Sequence, residues 1–211
     1  MTLSAVTSIL DNPPVSLHSG IMMLTNISGR TPQDAPAPFT PLEILESCHA
    51  RIRHFLRLSR TLAEAVDAPQ SKIVEAAAAL VYYFSQALPL HEADENETLY
   101  PRLHLASLPG SPLREAAKAM VEQHQAIDEM VAELLSLCAS IHRQPERLPS
   151  LARLLRQVAD SLDQAFASHL QMEETVIFPA LQQFTPSQLE EISREMQQRR
   201  RPPGHAIHLV R

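Results

Sequence analysis

Two short segments of the chain repeat one arrangement of residues that can bind metal ions or protons. Residues 91–101 are HEADENETLYP and residues 169–179 are HLQMEETVIFP. Each segment places a glutamate four residues after a histidine, and an aromatic–proline pair nine and ten residues after it. Four residues along a helix amount to about 40° of rotation and about 6 Å of rise, so both side chains leave the same face. Each segment therefore predicts a histidine–glutamate pair that acts as one unit.

A single histidine precedes each pair at a similar distance. His49 lies 42 residues before His91, and His124 lies 45 residues before His169. All four histidines fall on the apolar stripe of a predicted helix, so the chain is a twofold repeat of one helix pair. The repeat predicts that six side chains converge in the core: His49, His91, Glu95, His124, His169 and Glu173.

The chemistry of this set indicates a metal site. Ionised carboxylates in an apolar core need a cation or a strong hydrogen-bond network. Two divalent or trivalent metal ions bridged by the glutamates would meet that need. The mixture of imidazole and carboxylate suits iron, and manganese, zinc or cobalt are alternatives. A single His-x-x-x-Glu pair is usually a surface ion pair, and a lone histidine is usually a hydrogen-bonded core residue. Repetition on two apolar stripes favours the metal site. On the same phase, Glu92, Glu97 and Glu174 point elsewhere.

The elements that must position these residues are all helices. Ala, Leu, Glu, Gln and Arg dominate the middle of the chain, and Gly110 is the only glycine between residues 30 and 203. Helices are predicted from a capping box at Thr40 to about residue 67, then over about 71–103, 111–141 and 149–184. A short fifth helix follows a second capping box at Thr185. Pro89 should kink the second helix, because its ring blocks a backbone hydrogen bond.

These elements predict an all-α fold, an antiparallel up-down four-helix bundle with a short fifth C-terminal helix. The bundle should occupy residues 40–200. Residues 1–39 are rich in turn residues and are expected to be a mobile N-terminal extension, and residues 201–211 are expected to be a C-terminal tail.

Composition excludes several classes of partner. The net charge of −6 argues against nucleic acid, and the one basic cluster, Arg199–Arg201, is assigned to the tail. No apolar run approaches the ~20 residues that span a bilayer, and the N-terminus does not look like a signal peptide. With only Cys48 and Cys138, we expect free thiols in a cytoplasmic protein. The remaining histidines are expected at the surface: His18, His54, His104, His142, His205 and His208.

The residues quoted above resemble the hemerythrin-like (HHE cation-binding) family over residues 40–200. A histidine in the first helix, HxxxE ending in YP or FP in the second and fourth, and EQH in the third carry the resemblance. It implies a non-haem di-iron centre with an oxo or hydroxo bridge that binds O₂ or a related small molecule, NO or peroxide. By position, its ligands would be His49, His91, Glu95, His124, His169 and Glu173.

Asp128 marks a departure from the family pattern. Oxygen-carrying hemerythrins place a second histidine one turn after the first on the third helix, where this chain has Asp128. Asp128 lies on the same predicted face as His124. It would be a seventh ligand, a carboxylate that orients an imidazole, or a solvated residue at the edge of the stripe.

Three classes of function remain after this comparison. The first is a di-iron protein that binds or senses O₂, NO or peroxide, and it is favoured over an enzyme. The second is a di-iron oxidase, peroxidase or iron-handling enzyme. The ferritin-like version needs Glu-x-x-His twice, and this chain has it once, at Glu46–His49. The third is a helical signalling module held together by its metal, with an unknown protein partner.

Overall fold

The computed structural model describes residues 39–201 and shows five helices with no strand among those residues. Helix α1 is Pro41–Glu64, α2 is Gln70–Ala106, α3 is Pro112–Arg143, α4 covers residues 148–181 and α5 is Pro186–Arg199. The all-α bundle with a short fifth helix is therefore confirmed. The predicted N-terminal extension and C-terminal tail lie outside the described residues, except for their boundary residues Phe39 and Arg201.

The predicted helix starts are present with the expected caps. The Thr40 side chain accepts a hydrogen bond from the backbone of Glu43, and the Glu43 carboxylate accepts one from the backbone of Thr40. Thr185 and Gln188 make the same reciprocal pair at the start of α5. Such pairs satisfy backbone N–H groups that have no partner within the helix. Between α2 and α3, Gly110 takes φ 73°, a left-handed conformation that glycine adopts without strain.

Three prolines inside the long helices are each preceded by a π-helical turn. These turns are Tyr83–Ala87 before Pro89, Asp94–Leu99 before Pro101, and Glu173–Ile177 before Pro179. A proline ring clashes with the carbonyl of the preceding turn and cannot donate to it. A wider turn accommodates both problems, so α2 continues through Pro89 as a helix. Two of the three turns begin at or next to the predicted glutamate ligands.

The long helices pack in a ring, with α1 against α2 and α4, and α3 against the same two helices. The apolar core falls into two separate clusters. The larger cluster lies at the end of the bundle that contains the α1–α2 connection. All four long helices contribute to it, for example through Ile52, Leu88, Ile127 and Leu170. The smaller one lies at the opposite end and includes residues of α5. All six predicted ligands lie in the layer between them.

Helix α2 also satisfies the length and composition of a membrane-spanning helix, with an 18-residue stretch of mean hydropathy 1.3. This finding differs from the expectation that no segment is apolar enough. A core helix of a bundle passes the same test, and here α2 carries the buried His91 and Glu95 into the protein interior. Of the apolar stretch, 39% is buried in the bundle.

Candidate metal centre

The structure brings together six of the seven predicted site residues. His49 comes from α1, His124 from α3, and each His-x-x-x-Glu pair from α2 or α4. None of the six is more than 4% exposed. They form two overlapping groups whose ligand atoms lie within 4.8 Å of one another. The first group is His49, His91, Glu95 and Glu173, and the second is Glu95, His124, His169 and Glu173.

Both glutamates reach across the two groups. One Glu95 oxygen lies 3.2 Å from His91 Nε2 and the other lies 3.1 Å from His124 Nε2. One Glu173 oxygen lies 3.0 Å from His169 Nε2, and the other lies 3.0 Å from His49 Nε2. Each carboxylate therefore presents one oxygen to each pair of histidines, which is the arrangement needed to bridge two cations.

These contacts do not have hydrogen-bond geometry. Within residues 39–201, the Nε2 atoms of all four histidines, one Glu95 oxygen and both Glu173 oxygens are buried without a hydrogen-bond partner. Leaving one buried polar atom unsatisfied costs about 1–3 kcal/mol, so a concentration of them in one layer is unfavourable for a protein without a ligand there. Imidazole and carboxylate are also a suitable donor set for divalent metals. The residues therefore fit a metal of the kind that the repeated His-x-x-x-Glu pairs predict.

The protonation states suit metal binding at neutral pH. Burial lowers the pKa of His91 to about 3 and that of His124 to about 4, and neighbouring histidines add to both shifts. These rings are therefore neutral, as metal ligands must be. Burial and the Glu173 carboxylate raise the pKa of Glu95. Burial opposes the ionisation of Glu173, yet the imidazoles of His169 and His49 lower its pKa below the usual range. A bound cation would favour the ionised form of Glu95 and so oppose this shift.

Three polar side chains hold the outer nitrogens of the histidine rings. Asn96 Oδ1 lies 2.9 Å from His124 Nδ1, and Gln123 Oε1 lies 2.9 Å from His169 Nδ1. His49 Nδ1 donates to Glu174 Oε1 at 2.8 Å. The helical phase correctly turns Glu174 away from the centre of the bundle, but its carboxylate reaches the outer side of a ligand on another helix. Each repeat places a hydrogen-bond acceptor directly after its bridging glutamate, which is the sequence signal for Asn96 and Glu174.

The structure does not bring Asp128 into the cluster. Its side chain is exposed and belongs to neither group of ligand atoms found among the described residues. Its carboxyl lies instead beside Glu92, and burial together with Asp128 raises the pKa of Glu92 to about 8. Of the three alternatives for Asp128, this placement matches the residue at the edge of the stripe. The helical phase correctly predicts that His124 is buried. Asp128, four residues later, lies outside the buried face of the helix.

The basic residues assigned to the tail are partly structural. Arg199 Nη1 lies 2.8 Å from Asp94 Oδ1, and Arg200 Nη2 lies 2.6 Å from Asp94 Oδ2. Asp94 is fully buried and directly precedes Glu95, so α5 is fastened next to a bridging ligand. Arg200 also approaches the buried thiol of Cys48, at 3.7 Å from its sulfur. Cys48 and Cys138 are both buried and free, as expected.

Of the three remaining histidines that the structure describes, two follow the surface expectation and one does not. His104 and His142 are exposed, whereas His54 is half-buried and burial lowers its pKa. Its ring packs edge-on against Phe55, which the sequence periodicity did not indicate. His18, His205 and His208 lie outside the described residues.

Comparison with protein families gives one match. The family model described as the hemerythrin HHE cation binding domain matches residues 40–148 and, overlapping them, residues 115–201. The first match contains His49, His91, Glu95 and His124, and the second contains His124, His169 and Glu173. No curated protein matches the chain.

Proposed function

Because the chain belongs to the hemerythrin HHE cation-binding domain family, we propose that its buried cluster holds two iron ions and binds or senses O₂, NO or peroxide. One observation carries the proposal. Two groups of four ligand residues share both glutamates. Within the described part of the chain, the Nε2 atoms of the four histidines and three of the four glutamate oxygens are buried without a hydrogen-bond partner. One metal ion in each group would satisfy them.

The donor set supports iron and leaves room for a small ligand. Each group offers two imidazoles and one oxygen from each of two carboxylates. Non-haem iron sites with few protein ligands keep positions open for small molecules. The apolar clusters on both sides of the layer restrict the centre to ligands of small size. Iron bound there would supply redox chemistry, and the protein would supply neutral imidazoles, bridging carboxylates and exclusion of bulk water.

Metal analysis and spectroscopy test this function. Anaerobic loading with Fe²⁺ should give two iron ions per chain, and admission of O₂ should change the ultraviolet–visible spectrum. Recovery of the starting spectrum when O₂ is removed supports binding or sensing. Turnover of an added reductant would instead indicate the oxidase or peroxidase class. Two iron ions that ignore O₂, NO and peroxide would indicate a metal that only holds the bundle together. A chain that takes up no metal would contradict all three.

A further inference from the structure

The four histidines of the cluster differ in what holds their outer nitrogens. Two of them, His124 and His169, face the neutral amide oxygens of Asn96 and Gln123. His91 Nδ1 has no partner within residues 39–201. Only His49 faces a charged acceptor, the Glu174 carboxylate. The two groups of ligands are therefore alike in their inner residues and unlike in what surrounds them.

A carboxylate acceptor differs from an amide in two ways. First, an ionised carboxylate accepts and cannot donate, so His49 must carry its proton on Nδ1 and present the lone pair of Nε2 to the cluster. An amide can reverse its oxygen and nitrogen and leaves the ring tautomer free. Second, a charge-assisted hydrogen bond is stronger than a neutral one and raises the basicity of the ring as a ligand.

Glu174 also forms an ion pair at the protein surface. Arg53 Nη2 contacts both of its oxygens, at 2.8 and 2.9 Å. Arg53 and Glu174 line a groove of about 400 Å³ between α1 and α4, together with Phe178. The Phe178 ring stacks on His49 with ring centroids 4.9 Å apart. His49 is therefore held by the Phe178 ring on one side and by the Glu174 carboxylate on another. The side-chain contacts from Arg53 to Glu174 and from Glu174 to His49 connect this groove to the cluster.

We propose that Glu174 is a positioning residue that makes the two cation sites unequal. It fixes the tautomer and orientation of His49 and strengthens it as a ligand. The cation held by His49 and His91 then depends on Glu174, whereas the cation held by His124 and His169 does not. The inference rests on the proposed function, since it requires that the cluster holds two divalent cations.

An anaerobic Co²⁺ titration, followed by the visible absorption of the bound ion, tests this dependence. Wild-type protein should bind two equivalents. Glu174→Ala should weaken one equivalent by about 10–100-fold, the usual effect of losing an outer partner of a metal ligand, and leave the other unchanged. The affinity of Glu174→Gln for that equivalent should lie between those of the wild type and Glu174→Ala, because its amide oxygen still accepts a hydrogen bond from His49 without fixing the tautomer. Thermal melts of the metal-free variants establish that both remain folded.

Two matched controls separate the His49 contact from the surface ion pair. Arg53→Ala removes the ion pair but leaves the His49–Glu174 bond, so its titration should stay close to wild type. Asn96→Ala should weaken the equivalent bound by His124 and leave the Glu174-dependent one intact. The proposal is overturned if Glu174→Ala binds both equivalents with wild-type affinity, weakens both equally, or matches Arg53→Ala. Absence of binding by the wild type would instead contradict the proposed function itself.

Discussion

The segments 91–101 and 169–179 place the same two ligands in the core but are supported in different ways. In the first segment the residues around the ligands are polar, and in the second they are mostly apolar. Glu92 corresponds to Leu170 and Asp94 to Met172. Leu170 is buried in the larger apolar cluster and Met172 packs against the smaller one. Glu92 and Asp94 instead face Asp128 of α3 and the arginines of α5.

The difference shows which part of the motif is chemistry and which part is local support. The His-x-x-x-Glu spacing and the aromatic–proline ending are the same in both copies, and both copies have the π turn. The types of the residues between the ligands differ according to which helix packs against them. In the first copy, Asp94 forms ion pairs that join α2 to α5, and Glu92 lies beside Asp128 of α3. In the second copy, Leu170 and Met172 take part in apolar packing instead.

The largest expected effect is common to both copies. If the cluster holds two iron ions as proposed, Glu95→Ala and Glu173→Ala should each lose at least one of them, because each glutamate presents an oxygen to both groups of histidines. Metal content after anaerobic loading measures the loss. Glu129→Ala, an exposed position on α3, is the control and should keep both ions. If only one of the two glutamate variants loses metal, the copies are not equivalent as ligands.

The second effect belongs to the first copy alone. Replacing both Arg199 and Arg200 with alanine leaves Asp94 buried without a charged partner, which should lower the free energy of unfolding by about 3 kcal/mol. Urea denaturation of the metal-free protein measures it. Adding Asp94→Met, which introduces the residue type of the second copy, should recover most of the loss. The exposed Arg201→Ala is the control. A double variant as stable as wild type would show that Asp94 does not depend on α5.

The third effect appears as a pH dependence of the metal-free protein. The pKa of His91 is about 3 in the folded state, below its ordinary value of 6.5, because of burial. Its contribution to stability is therefore present above pH 6.5 and is lost as pH falls toward 3. Between pH 6 and pH 4 the wild type should lose stability relative to His91→Gln by about 1 kcal/mol per pH unit. Urea denaturation at several pH values measures the trend. A flat difference for His91→Gln would place that ring in a more polar setting.

The smallest effect is expected at Asp128. Because its side chain is exposed, Asp128→Ala should keep both ions of the proposed centre and change the free energy of unfolding by less than about 0.5 kcal/mol. Its measurable consequence is a lower pKa for Glu92, since Asp128 adds to the shift caused by burial. Metal analysis checks the metal content of Asp128→Ala, and thermal melting checks its stability. Loss of an ion from this variant would reinstate Asp128 as a ligand.

The ligand set could be predicted from sequence because helical phase is a local property. His91 and Glu95 share a face wherever the helix lies, and the capping boxes at Thr40 and Thr185 are equally local. The outer acceptors could not be predicted in this way. Glu174 is about 100° around α4 from Glu173, and what it meets there depends on which helix lies alongside. That neighbour is α1, whose His49 is 125 residues away in sequence.

Two further features required the folded structure. The pairing of Asp94 with Arg199 joins residues 105 apart, so the same arginines in sequence were equally consistent with a basic tail. The apolar periodicity does not indicate the π turns, because a regular stripe implies a constant rotation per residue. The prolines in both repeats indicate that the helix is irregular there. The helix forms a wider π turn before each proline and continues instead of ending.

The polar layer between the two apolar clusters has a consequence for the cooperativity of the bundle. Apolar contacts couple one end of a helical bundle to the other only where they are continuous, and here they are interrupted at the level of the six ligands. We therefore expect this layer to be the least stable level of the metal-free bundle. Cations bound at this level would connect all four long helices and would raise the stability of the bundle as a whole.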